Sequence, residues 1–225
     1  MKFTYYGHAC FGIETMGMNL LIDPFISGNE LAKDIDIHSI KADYILVSHG
    51  HGDHIADAID IALRTNATII GGVEVINWLQ KKGAAKVHEM NFGTYHFPFG
   101  TLHFVPAAHS SSMPDGTYGG NPGGFIIQNK ENNIYYSGDT SLTAELSMIP
   151  HYGKLDFAIL PIGGNYTMDA ERAAIAATMI QCDNIIGVHY DTFPPIKIDL
   201  ELAKSVFKMA NKKLFLPNIG ETIDL

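Results

Sequence analysis

The sequence predicts an α/β protein in which two β-sheets pack together and helices cover the outside. Three observations predict it. Short apolar or alternating runs of strand length recur along the whole chain. Amphipathic runs of helical length sit between some of them. The rhythm also changes in a fixed order, β-rich and then βα-alternating, and this happens once in each half. The two halves share no clear sequence repeat, so any duplication must be one of structure.

The first half opens with three strand-like runs, "KFTYY", "FGIET" and "NLLID", with "GHAC" and "MGM" as turns between them. "DYILVS" then reads as a buried strand and "IADAIDIALRT" as a helix. "ATIIG" and "VEVINWLQKKG" repeat the pair, with Gly83 as a helix stop. The middle returns to strands in "GTYHFPFGTLHFVPAA", "GGFIIQ" and "NIYYSG". "LDFAILPI", helix "DAERAAIAATMIQ", strand "NIIGVH", helix "LELAKSVFKMA" and strand "KLFLP" complete the second half. Thr167 or Asp169 starts the first of these last two helices as its N-cap.

At 225 residues the chain is expected to form one domain, 1–225, with a sizeable core. With 46% apolar and 17% charged residues, neither disorder nor a fibre is suggested. A net charge of -9 argues against a broad nucleic-acid footprint, and Lys81-Lys82 and Lys212-Lys213 are the only basic doublets singled out. No run reaches the length of a membrane span, and the first residues carry no signal-peptide core. Cys10 and Cys182 lie far apart and imply no disulfide framework. A cytoplasmic protein with no membrane partner is therefore expected. Trp78 and the many Tyr and Phe residues could feed a homo-oligomer interface or the core.

The chemistry concentrates in "SHGHGDH", where His49, His51, Asp53 and His54 form H-x-H-x-D-H between a strand and a helix. A tight junction there points several side chains one way, and Gly50 and Gly52 are expected to relieve crowding. Imidazole nitrogens with a carboxylate suit zinc, manganese, iron or nickel. A polar turn with chance histidines is the competing reading, and three His in six residues after an apolar strand make it a poor one. One turn cannot close a two-metal site. His109 after "LHFVPAA", Asp139 after "NIYYSG" and His189 after "NIIGV" each sit just past a strand, where sheet-based sites gather. His38, His88, His96, His103 and His151 have no supporting motif.

These pieces resemble the metallo-β-lactamase superfamily in their order and spacing. "GHACFGIE", "LIDPFISGN", "YGGNPGGF" and "LPIGGNYTMD" are similar to the branch of predicted metal-dependent hydrolases labelled UPF0173. The resemblance spans essentially the whole chain. It implies a four-layer αβ/βα sandwich, two mixed sheets flanked by helices, with the site at their shared edge. It implies one metal on His49, His51 and His109, a second on Asp53, His54 and His189, and Asp139 bridging both. Asp23 is expected to brace the histidine loop, although an Asp-Pro turn is an equal reading of that residue. His8 is placed near the site as an outer or substrate-facing group and not as a ligand. Tyr118 and Asn121 are placed at the pocket mouth, and the serines of "HSSSMPDG" could donate to substrate.

The implied activity is hydrolysis by a hydroxide shared between two divalent ions, zinc first, on a small ester, lactone, amide or phosphodiester-type substrate. Asp53 doubles as a catalytic group that orients the nucleophile or passes its proton on. Nuclease-type phosphodiesterase activity is an alternative, opposed by the acidic balance and the absence of room for a nucleic-acid-binding domain. Di-iron redox relatives add a flavin domain and more carboxylate. A non-catalytic metal-binding protein is the remaining alternative, and a complete ligand set speaks against it.

Overall fold

In the computed structural model, which describes residues 1–225, the first half runs β1 (Lys2–Gly7), β2 (Cys10–Thr15), β3 (Met18–Ile22) and β4 (Tyr44–Val47). It continues through α1 (Gly52–Ile55), α2 (Ala58–Thr65), β5 (Thr68–Gly72), α3 (Val73–Lys81) and β6 (Val87–Met90). The second half contains β7 (Gly93–Phe97), β8 (Gly100–Pro106), β9 (Gly123–Gln128), β10 (Asn133–Tyr136) and β11 (Phe157–Pro161). It ends with α4 (Ala170–Met179), β12 (Asn184–Val188), α5 (Leu200–Met209), β13 (Lys213–Phe215) and β14 (Thr222–Asp224).

The strands form two seven-stranded sheets, ordered β14-β1-β2-β3-β4-β5-β6 and β13-β12-β11-β10-β9-β8-β7. In the first, β14 through β3 pair antiparallel and β3 through β6 pair parallel. The second repeats this, antiparallel from β7 to β10 and parallel from β10 to β13. The duplication absent from the sequence is thus present in the topology.

Alternation along each strand builds the layers. Leu20, Ile22, Leu46 and Ile70 face Phe104, Phe125, Tyr136, Ile159 and Ile186 in one buried cluster between the sheets. Their neighbours Leu21, Ile45, Val47 and Ile69 turn outward onto Ile55, Ile61, Val75, Ile76 and Leu79. On the other sheet Ile126, Tyr135, Leu160 and Ile185 meet Ala173, Ala176, Ala177 and Phe207 of α4 and α5. Strands sandwiched on both faces must be apolar on both, which is why "YILV" and "FAILP" read as continuous runs. The result is the four-layer arrangement of two mixed sheets flanked by helices.

Three local features differ from the sequence reading. The expected helix over 55–65 is two pieces, because Asp57 leaves the helical path to bind the loop after β3. Its carboxylate accepts from Ile26 N at 2.6 Å and Ser27 N at 3.0 Å. The short strands β6 and β14 were not anticipated; "VHEM" and "TID" carry too little apolar pattern to announce themselves. Of the two glycines in the histidine loop, Gly50 is crowded, since a Cβ there would lie 2.4 Å from Met113 Sδ. Gly52 has open space, its nearest atom being Pro114 Cγ at 3.9 Å, so it relieves nothing.

Gly138 is the glycine the site needs. It has φ +62°, and a Cβ would sit 2.3 Å from the Gly123 carbonyl oxygen and 3.2 Å from Ser48 Cβ. Strain and clash add there, so Gly138→Ala is expected to destabilise the fold by about 2 kcal/mol or more. Urea unfolding of the purified variant checks this, and an unchanged midpoint would show that the edge tolerates a side chain beside Asp139.

Candidate active site

Six strands end at one edge of the sandwich. His8 follows β1, Asp23 follows β3, His49 to His54 follow β4, His109 follows β8, Asp139 follows β10 and His189 follows β12. The β1, β3 and β4 ends coincide because β1 and β3 both run antiparallel to β2, and β3 runs parallel to β4. The same alternation aligns β8, β10 and β12. Three of the residues turn their strands sharply by adopting left-handed backbone, His8 at φ 55°, Asp23 at φ 43° and His189 at φ 57°. Such a conformation costs a non-glycine residue about 1 kcal/mol or more and marks a constrained site. The sheets are tied where they meet, by His189 N–H donating to the His8 carbonyl at 2.7 Å and Gly123 N–H to the Ser48 carbonyl at 3.0 Å.

Asp23 lies fully buried beneath the histidines. Its carboxylate accepts from Ser48 N–H at 2.7 Å, Ser48 Oγ–H at 2.6 Å and Tyr136 O–H at 2.7 Å. The fourth contact is His54 Nδ1 at 2.8 Å. A carboxylate only accepts, so Nδ1 carries the proton and Nε2 of the neutral ring is a bare lone pair. Ser48 spends its single proton on Asp23, so its oxygen can only accept from His49 Nδ1 at 3.0 Å. His49 Nε2 is therefore also bare, and one buried acid sets two tautomers.

These lone pairs converge. Donor atoms of His49, His51 and His109 lie within 4.8 Å of one another, as do those of His49, His54 and Asp139, and those of His8, Asp53, His54 and His189. Asp139 Oδ2 is ringed by His189 Nε2 at 3.0 Å, His54 Nε2 at 3.4 Å and His109 Nε2 at 3.6 Å. Burial works against the Asp139 charge, but His189 and His54 outweigh it and hold the carboxyl well below its usual range. Burial likewise opposes charge on His54, yet Asp139 and Asp23 hold that imidazole well above its ordinary value, so without a cation Nε2 keeps a proton toward Asp139, and the bare Nε2 is the form a bound metal would require. Burial pushes His49, His51 and His109 down, as it does His8, which falls to about 4.

Five buried side-chain atoms in the whole chain have no hydrogen-bond partner, and three of them, His54 Nε2, Asp139 Oδ1 and His189 Nδ1, belong to this cluster. Each orphan costs about 1–3 kcal/mol. Buried, incompletely partnered nitrogen and oxygen atoms on residues whose donor atoms lie within 4.8 Å of one another fit divalent cations.

The cluster opens into a cavity of about 430 Å³ lined by His51, Asp53, His109, Asp139 and His189 with Ser110, Tyr166 and Phe193. Tyr166 and Phe193 had no sequence signal beyond their place in loops after strands. Ser48 and Tyr136, the partners of Asp23, looked like ordinary strand residues. Tyr118 and Asn121 do not line the cavity. Their loop folds on itself, with Ser111 Oγ–H donating to the Gly119 carbonyl at 2.8 Å, and Tyr118 instead faces a surface hollow with Trp78, Lys82 and Asp115. Ser111 also accepts from Gly50 N–H, so of the loop's serines only Ser110 lines the cavity. Asp169 caps α4 by accepting from Arg172 N–H. Cys10 and Cys182 are free, buried and outside the cluster.

A family model described as "Beta-lactamase superfamily domain" matches residues 2–189. A UPF0173 metal-dependent hydrolase of Flavobacterium johnsoniae is 51% identical over the full length of both chains. The chain belongs to the UPF0173 branch of the metallo-β-lactamase superfamily. Another UPF0173 protein, from Methylacidiphilum infernorum, is 49% identical over the full length of both. Among solved structures, Igni18 of Ignicoccus hospitalis, described as a novel metallo hydrolase, superposes with TM-score 0.89 at 35% identity, covering 99% of this chain and 97% of that one. An isothiocyanate hydrolase from Delia radicum gut bacteria shares the fold, at TM-score 0.83 and 19% identity, covering 100% and 99%.

In this UPF0173 chain the Asp23 network is testable apart from catalysis. Asp23→Asn removes a buried charge with four donors and is expected to cost about 3 kcal/mol or more. It should also weaken metal binding about 10–100-fold, through loss of the His54 and His49 orientation. Urea unfolding and calorimetric zinc titration check both, and unaltered zinc affinity would show that the imidazoles need no carboxylate behind them.

Proposed function

We propose that the chain, acting as one domain, is a metal-dependent hydrolase of small, largely uncharged esters, lactones or amides. In this reading His49, His51 and His109 hold one divalent ion, Asp53, His54 and His189 a second, and Asp139 bridges them. The carrying observation is the set of His and Asp donor atoms within 4.8 Å of one another, several of them lining the cavity. A nitrogen-and-oxygen donor set without cysteine favours zinc, and manganese, iron and nickel are the other candidates. Two such ions would lower the pKa of a water between them and polarise the bond under attack.

The chain's own residues supply the rest. Asp53 is partly exposed to the cavity and lines it. Its carboxylate is placed to take a proton and return it to a leaving group. Ser110 Oγ, 3.4 Å from His51 Nε2, is available to a bound substrate. Tyr166 and Phe193 offer an apolar wall to the non-reacting part. No Lys or Arg lines the cavity, which leaves a phosphodiester or nucleic-acid backbone without a cationic side chain to recognise it. No helix is long and apolar enough to cross a membrane. A cytoplasmic small-molecule enzyme is the reading these facts support.

A panel of ester, lactone, amide and phosphodiester substrates, run with metal analysis, tests it. Wild-type protein is expected to cleave at least one carbonyl substrate, and His51→Ala to lose about a hundredfold or more in kcat/KM. Cleavage of phosphodiesters alone would replace the substrate reading, and no cleavage with two metals bound would favour a binding protein. Chelation should also lower the melting temperature. Free zinc at 100 times its Kd adds about 2.7 kcal/mol, or roughly 5–10 °C for a chain of this size. A melting curve indifferent to chelator would remove the metal from the argument.

A further inference from the structure

We infer that His8 is a metal ligand, the third imidazole of the second cluster, and that it binds through Nε2. The inference rests on the two-metal reading of the site and adds a donor to it. Its basis is the hydrogen bonding on the far side of the ring. Thr192 Oγ1 lies 3.3 Å from the Tyr190 carbonyl, and a hydroxyl that gives its single proton to that carbonyl has only lone pairs left for the ring. The same oxygen lies 3.0 Å from His8 Nδ1, so toward the ring it presents a lone pair. Nδ1 therefore carries the N–H, and Nε2 of a neutral imidazole is bare.

That bare nitrogen faces Asp53 Oδ2 at 3.0 Å. In that tautomer a nitrogen lone pair and a carboxylate oxygen at this distance call for a cation between or beside them. One donor atom each from His8, Asp53, His54 and His189 lies within 4.8 Å of the others, the spacing of a coordination shell. The His8 ring packs 4.1 Å from the His189 ring and 5.6 Å from the His54 ring, centroid to centroid. The backbone fixes it there, since the His8 carbonyl accepts from Tyr5 O–H at 3.0 Å and His189 N–H at 2.7 Å. Phe25 and Phe193 pack on the ring in T-shaped contacts, with centroids 5.6 and 5.4 Å away.

The consequence is an unequal pair of sites. The second cluster would offer three imidazoles and a carboxylate before the shared Asp139 is counted, and the first only three imidazoles. Two members of each cluster line the cavity, His51 and His109 of the first and Asp53 and His189 of the second.

The competing arrangement puts a proton on His8 Nε2, which donates to Asp53 and makes His8 a positioning residue. Long-range proton–nitrogen NMR of the zinc-loaded wild-type protein separates the two, with the His8 ring assigned through its backbone. The ligand role predicts a metal-bound Nε2 shift for His8 and a protonated Nδ1. A protonated Nε2 with two zinc ions bound overturns the inference and leaves the two-metal site standing. Failure of the wild-type protein to bind a second zinc overturns both. In parallel, His8→Gln is expected to weaken the second zinc at least about tenfold. Retention of both zinc affinities by a folded His8→Gln would also overturn it.

Discussion

Everything at the sheet edge depends on one buried carboxylate. Asp23 has no solvent, and a bare anion in such a place would cost several kcal/mol. Four donors remove that cost, and they come from three residues: the Ser48 backbone and hydroxyl, Tyr136 and His54. Ser48 continues β4 and Tyr136 ends β10, so the acid after β3 joins the two sheets as well as the histidine loop. Its effect on the imidazoles is directional rather than merely stabilising. By requiring a proton from His54 Nδ1, and through Ser48 from His49 Nδ1, it leaves both Nε2 atoms as acceptors pointing the same way. A neutral Asn in its place could not accept all four.

The strand ends carry the remaining cost. His8, Asp23 and His189 accept left-handed backbone at the point where each leaves its strand. Glycine would have adopted it without strain, but glycine brings no donor atom. The fold offsets this by making the turns part of the sheet-to-sheet seam, as in the bond from His189 N–H to the His8 carbonyl. The matching topology of the two sheets explains why the clustered His and Asp residues arrive from both. Each sheet switches from antiparallel to parallel pairing at its middle, at β3 and at β10, and Asp23 and Asp139 follow those two strands.

Much of this was legible before any coordinates, and the reason is that the signals were local. "SHGHGDH" follows an apolar strand, and His109, Asp139 and His189 each follow another, so a search for strand ends found them. The alternation of Leu20, Leu21 and Ile22 between two cores is likewise a local pattern. What escaped was what depends on distant partners. Asp57 looked like one more residue of a helix until its bonds to Ile26 and Ser27 appeared. Tyr118 and Asn121 were placed by their glycine-rich loop, whose path is decided by Ser111 bonds that no sequence pattern announces. The contacts of His8 with Asp53 and Thr192 are of the same kind, since its nearest neighbours in sequence, a glycine and an alanine, say nothing of either.

The same distinction sets how far the substrate can be read. Donor atoms sit on strand ends whose positions follow from backbone pairing, so residue identity and strand order together constrain them tightly. The cavity walls have a different origin. Tyr166 lies in a turn between β11 and α4 held by the Gly164 carbonyl, and Phe193 in a turn between β12 and α5 beside Asp191, which accepts from Ile198 N–H. These loops can change residues and length without disturbing a ladder bond or the Asp23 network. One sandwich can therefore keep its polar floor while its walls change what the cavity admits. In this chain Tyr166 and Phe193 are the aromatic part of those walls, and they are the physical basis for the proposal that an uncharged part of the substrate is recognised there.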